Sequence, residues 1–89
     1  MRHYIAVVHK DKNSDFGVSF PDFPGAVTAA PSLDEAVEMA AEALALHVEG
    51  MIAEGEKISP PSSFEQVQAA HHDGVPVMVP LKSDVLARR

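Results

Sequence analysis

The sequence predicts an α+β fold: a three-stranded antiparallel meander, one long helix packed on the sheet, a short second helix and a fourth strand, in the order β-β-β-α-α-β. Three observations carry that reading. An apolar run of strand length, Tyr4-Ile5-Ala6-Val7-Val8, is followed after a polar break by Phe16-Gly17-Val18-Ser19-Phe20, which alternates in the manner of a strand with one apolar face. A proline-free stretch dominated by Ala, Leu, Met and Glu then runs from Leu33 to about Glu54. A last apolar run, Val75 to Pro80, follows a turn signal.

The first strand, within His3 to His9, has Ile5 and Val7 on one parity and Ala6 and Val8 on the other. That pattern suits a central strand covered at least partly on both faces. Lys10 to Asp15 is rich in turn formers and is expected to close a hairpin with the Phe16 strand. Phe20-Pro21-Asp22-Phe23-Pro24-Gly25 then stops that strand. Pro24 and Gly25 suit the two central positions of a type II turn, since proline presets φ and glycine tolerates the positive φ required next. Ala26 to Ala30 returns as the third strand.

The long helix begins with agreeing signals. Ser32 fits the N-cap, Glu35 three residues later completes a capping-box pattern, and Asp34 and Glu35 put negative charge where the helix dipole favours it. Gly55 suits the C-terminal stop, with Pro60-Pro61 beyond. On a helical wheel Leu33, Val37, Ala40, Leu44, Val48, Met51 and Ile52 share one arc, expected to be core. Asp34, Glu35, Glu38, Glu42 and Glu49 form an acidic stripe nearly opposite, readable as a solvated face or as a docking surface for a basic partner. Met39, Ala43, Leu46 and Gly50 form a third strip, either the edge of a broad core or an association surface.

After a Pro/Ser loop from Glu56 to Ser63, Ser63-Phe64-Glu65-Gln66 repeats the capping-box pattern and predicts a short helix to about Ala70. Pro76 and Pro80 mark the final strand as an edge or irregular one. The expected organisation is a single domain over residues 1–82 and a tail over 83–89.

The 89 residues allow one small domain whose core is thin enough for dimerisation or a partner to matter. No segment has the length of a membrane span and the N-terminus lacks a secretory signal, so a cytoplasmic location is expected. The absence of cysteine removes disulfides, thiol nucleophiles and thiolate metal sites. A formal net charge of −6 argues against a grip on a phosphate backbone and fits a basic protein partner.

Catalytic signals are weak. His47 lies within or beside the apolar arc and reads as a core-edge histidine before it reads as a general base. His71-His72 lacks the i, i+4 spacing of a helical metal pair. Asp11, Asp15, Asp22 and Asp34 supply carboxylates for a magnesium-dependent nuclease, but turn formation and capping account for those in predicted loops. No phosphate-binding or dinucleotide glycine fingerprint occurs. No catalytic residue, metal or cofactor is therefore expected.

The succession Tyr4 to Val8, then Phe16 to Gly25 with its Phe20-Pro21-Asp22-Phe23-Pro24-Gly25 core, then Ser32-Leu33-Asp34-Glu35-Ala36, resembles the HicB antitoxin family, from residue 3 to about 82. It departs in having Ala30-Pro31 where relatives often carry Gly-Asp, which touches the strand-to-helix corner. The resemblance implies a partial RNase H-like fold without nuclease activity that neutralises a small basic HicA-type mRNA-cleaving toxin by blocking its catalytic histidine. Relatives often add a C-terminal DNA-binding domain, and this sequence ends where one would begin; either a single-domain member or a chain lacking its DNA-binding part is expected, with no direct nucleic-acid binding by these residues. Glu35, Glu38, Glu42, Glu49, Met39 and Leu46 are the expected toxin-facing residues, and a homo-oligomer, dimer or tetramer, is expected. The competing readings are a degenerate RNase H-like nuclease and an oligomerisation or small-ligand module without a toxin.

Overall fold

A computed structural model describes residues 2–10, 15–71 and 73–81. Its elements follow the expected order: β1 (Arg2–Lys10), β2 (Phe16–Ser19), β3 (Val27–Ala30), α1 (Leu33–Ala53), α2 (Phe64–Ala70) and β4 (Val75–Leu81). All strand pairs are antiparallel, in the spatial order β3-β2-β1-β4. β1 is therefore central, and Tyr4 through Val8 are all buried, as residues apolar on both parities require.

The two parities of β1 feed different clusters. Tyr4, Ala6 and Val8 join Val18, Phe20, Phe23, Val79 and Leu81 beneath Ala36, Ala40, Leu44 and Val48 of α1, forming the main core. Ile5 and Val7 meet Val67 of α2 on the other face, forming a smaller one. Gly74 brings the chain close to β1 on this smaller side. A Cβ there would stand 2.2 Å from Val7 Cγ1 and 2.9 Å from His9 Cε1, so any larger residue must push those side chains aside.

β4 takes the edge that its prolines demand. Pro76 pairs with Val7 and Pro80 with His3. Neither proline can donate to the ladder, so both nitrogens lie on the outer rim, and Met78 between them carries the only N–H that this parity presents outward over Val75–Leu81.

α1 starts and stops as its caps dictate. Ser32 Oγ accepts from the Glu35 N–H at 3.2 Å. At the other end Gly55, at φ 76°, donates to the Ile52 carbonyl, while Glu56 donates to that of Met51. This is the complete paired closure of a glycine-terminated helix. At α2 both halves of the capping box form between Ser63 and Gln66.

The core arc of α1 differs from expectation at its start. Leu33 shares the arc's angle but is 47% exposed. It occupies the first helical position, directly after the exposed Pro31–Ser32 corner. Ala36, one position off the expected arc, is fully buried in its place.

Candidate functional site

Two features concentrate the chain's distinctive residues. The first is the double turn after β2. Phe23 N–H donates to the Phe20 carbonyl at 3.0 Å and Ala26 N–H to the Phe23 carbonyl at 2.9 Å, so two turns share Phe23. Gly25 has φ 101°, which gives the second turn its type II geometry, with Pro24 and Gly25 at the centre as expected. Phe20 and Phe23 point into the core, and the Tyr4 ring meets Phe23 edge-on at 4.7 Å between centroids.

Asp22 does more than form a turn. Its Oδ2 accepts from the Ser62 N–H at 2.9 Å and its Oδ1 from the Ser62 hydroxyl. The Tyr4 hydroxyl donates to the Ser59 carbonyl on the same loop. The 56–63 connection is thus strapped to the sheet at two points. Pro21, Asp22, Ser62, Gln66, Val67, Ala70 and His71 line an open hollow of about 160 Å³ beside the strap.

A serine, a histidine and an aspartate share that hollow, but Ser62 bonds directly to Asp22, so the hydroxyl proton is committed to the carboxylate rather than to an imidazole base. Asp34 is exposed in the first turn of α1. Asp11 and His72 lie outside the described residues. Among the described residues no group of three His, Asp or Glu side chains is placed to hold a metal ion. His47 is half-buried with its ring 5.8 Å from that of Phe23, the core-edge position expected of it.

The second feature is the outer flank of α1. Glu35, Glu38 and Glu42 are exposed, and Glu49 is half-buried on the same side. Leu46 is 70% and Met39 41% exposed. The main core takes Ala36, Ala40, Leu44 and Val48 of α1, with Ala41, Ala45, Met51 and Ile52 partly buried against it, and Met39 and Leu46 stay outside that set. The acidic residues and the two large apolar ones therefore share one solvent-facing helix flank, whereas Phe20 to Gly25 lie at the double turn and Ser32 at the N-cap. Ser62, the partner of Asp22, carried no sequence signal, because nothing local marks one serine of a Pro/Ser loop as the end of a bond spanning 40 residues.

The fold is one seen in antitoxins of bacterial toxin–antitoxin systems. The crystal structure of the Burkholderia pseudomallei antitoxin HicB is 31% identical and superposes with a TM-score of 0.84 over 96% of this chain and 67% of that one. The N-terminal domain of the same antitoxin is matched over 90% of this chain and 98% of that one, at 31% identity and a TM-score of 0.78. A HicA3 and HicB3 toxin–antitoxin complex contains a chain that is 25% identical, with a TM-score of 0.73, matched over 90% of this chain and 98% of that one. An uncharacterised 14.9 kDa protein of Haemophilus phage HP1 is 39% identical over 54 residues, which are 61% of this chain and 41% of the phage protein. The model of the HicB-like antitoxin of bacterial toxin–antitoxin systems matches residues 4–89. The chain belongs to this HicB-like antitoxin family.

Proposed function

We propose that this chain neutralises a small basic HicA-type mRNA interferase by binding it and covering its RNA-cleaving surface, without catalysis of its own. The observation that carries the reading is the outer flank of α1, where Leu46 stands 70% exposed one turn from Glu42 and Glu49, on a face that Glu35 and Glu38 continue toward the N-terminus. An exposed leucine within an acidic helix face suits a partner that contributes apolar surface and positive charge together. The family membership and the similarity to a chain of a HicA3–HicB3 complex support the same partner class. The net charge of −6 suits a protein target and not a nucleic-acid backbone, and a cytoplasmic homo-oligomer is the form in which we expect it to act.

The test is co-expression with a HicA-type toxin, followed by co-purification and an RNA-cleavage assay. Stoichiometric binding with loss of cleavage is expected. Unimpeded cleavage at excess of this chain overturns the reading. Incubation of the chain alone with RNA and magnesium is expected to give no cleavage; magnesium-dependent cleavage that disappears in Asp22→Asn would instead restore the nuclease reading.

A further inference from the structure

The outer flank of α1 carries a periodicity that an acidic stripe does not need. Met39, Ala43, Leu46 and Gly50 recur at intervals of 4, 3 and 4 residues, the spacing with which one helix seats another. Glu35, Glu42 and Glu49 border this seam on one side, each seven residues from the next. His47 borders it on the other, with its ring against Phe23 and its Cε1 beside Gly25.

Gly50 is the telling residue. A glycine in the body of a helix costs about 1 kcal/mol relative to alanine. Gly25 and Gly55 have positive φ, and Gly74 has no room for a Cβ, but Gly50 has neither reason: its φ is not positive, it is exposed, and a Cβ there would meet no atom within 4 Å. Nothing among the described residues calls for its smallness. On the seam, Gly50 and Ala43 flank the projecting Leu46 and leave low ground on either side of it, which lets a second backbone approach closely.

We infer that this seam is the seat for an amphipathic helix of a basic partner, packed across Ala43 and Gly50 around Leu46, with Lys or Arg opposite Glu35 and Glu42. The occupant is not a second copy of α1. Antiparallel self-pairing would set the glutamate row against itself, and parallel self-pairing would set it against Ala40, which is fully buried, and His47, already packed on Phe23. The charge of the row selects a cationic helix from another chain.

The inference rests on the toxin reading above, so the probe is a HicA-type toxin with its catalytic histidine replaced. Leu46→Ala empties the seam and Gly50→Leu fills it, and both sites are exposed enough to leave the fold intact. Each is expected to raise Kd at least about tenfold, with Tm unchanged for Leu46→Ala and equal or higher for Gly50→Leu. Failure of the wild-type chain to bind the toxin overturns both readings. Tight binding by the wild type and equally tight binding by both variants overturns the seam alone. A dimer by light scattering that Leu46→Asp dissociates would assign the seam to self-association and overturn the heterotypic assignment.

Discussion

Asp22 and Ser62 are joined by two hydrogen bonds across 40 residues of sequence, one to the backbone N–H and one to the hydroxyl, so that both oxygens of one carboxylate hold one residue of the strap before α2. The most distinctive sequence stretch in the chain thereby fixes where the second helix begins. Asp22→Ala should cost about 1–2 kcal/mol, toward the lower end for bonds to a charged group because both residues are half-buried. Tm should fall by about 5–10 °C. Amide exchange should accelerate across 56–71 while β1 and β2 stay protected; uniform exchange loss would show that Asp22 supports the whole sheet and not the strap.

Tyr4 holds the same strap by its hydroxyl and the core by its ring. Tyr4→Phe keeps the edge-on contact with Phe23 and removes only the bond to the Ser59 carbonyl. A loss of about 0.5–1.5 kcal/mol is expected by denaturant unfolding. A loss beyond about 3 kcal/mol would mean that the ring had shifted as well.

Gly25 and Gly74 are glycines for different reasons, and alanine separates them. At Gly25 a Cβ would lie 3.7 Å from His47 Cε1, which is ordinary contact, so the penalty is that of φ 101°, about 1–2 kcal/mol. At Gly74 the penalty is steric, against a buried Val7, about 1–3 kcal/mol. The double variant Gly74→Ala/Val7→Ala should recover part of the Gly74→Ala loss, and no such coupling should appear between Gly25→Ala and Val7→Ala.

Leu44 and Leu46 lie two positions apart on α1, one fully buried and one 70% exposed. Leu44→Ala should destabilise the fold by about 2–5 kcal/mol, and Leu46→Ala by less than about 0.5 kcal/mol. Paired urea titrations check this directly.

Charge on α1 should govern the rate of encounter with a basic partner. Glu38→Lys with Glu42→Lys is expected to slow association with a HicA-type toxin and to flatten its salt dependence. Stopped-flow rates between about 50 and 500 mM salt measure it, and an unchanged on-rate removes these glutamates from the interface.

Much of this architecture was legible in the residues because local signals agreed with the tertiary outcome. The prolines of β4 announced an edge, Pro24-Gly25 announced a turn, and Ser32 and Gly55 bounded the long helix; each acts on the backbone beside it. The relationships without a local signal are those in which a residue acts at a distance. Ser62 is one of several serines in a loop until Asp22 reaches it. Leu33 has the helical phase of a core residue but sits exposed at the first helical position, and phase carries no information about how far along a helix its cover extends. Met39 and Leu46 admit two readings because a wheel gives direction, whereas burial depends on what the rest of the fold sets against that direction.

The prolines of β4 also bear on how copies of this domain can meet. A strand seeking to extend the sheet beside β4 would find a rim with carbonyls and, over Val75–Leu81, one N–H, too few donors to template a ladder. β3, with no proline within Val27–Ala30, keeps its donors. Growth of this sheet by strand addition is therefore one-sided. Two copies joined edge to edge through β3 would present β4 at both ends and stop there, so the fold carries its own chain terminator against fibre formation.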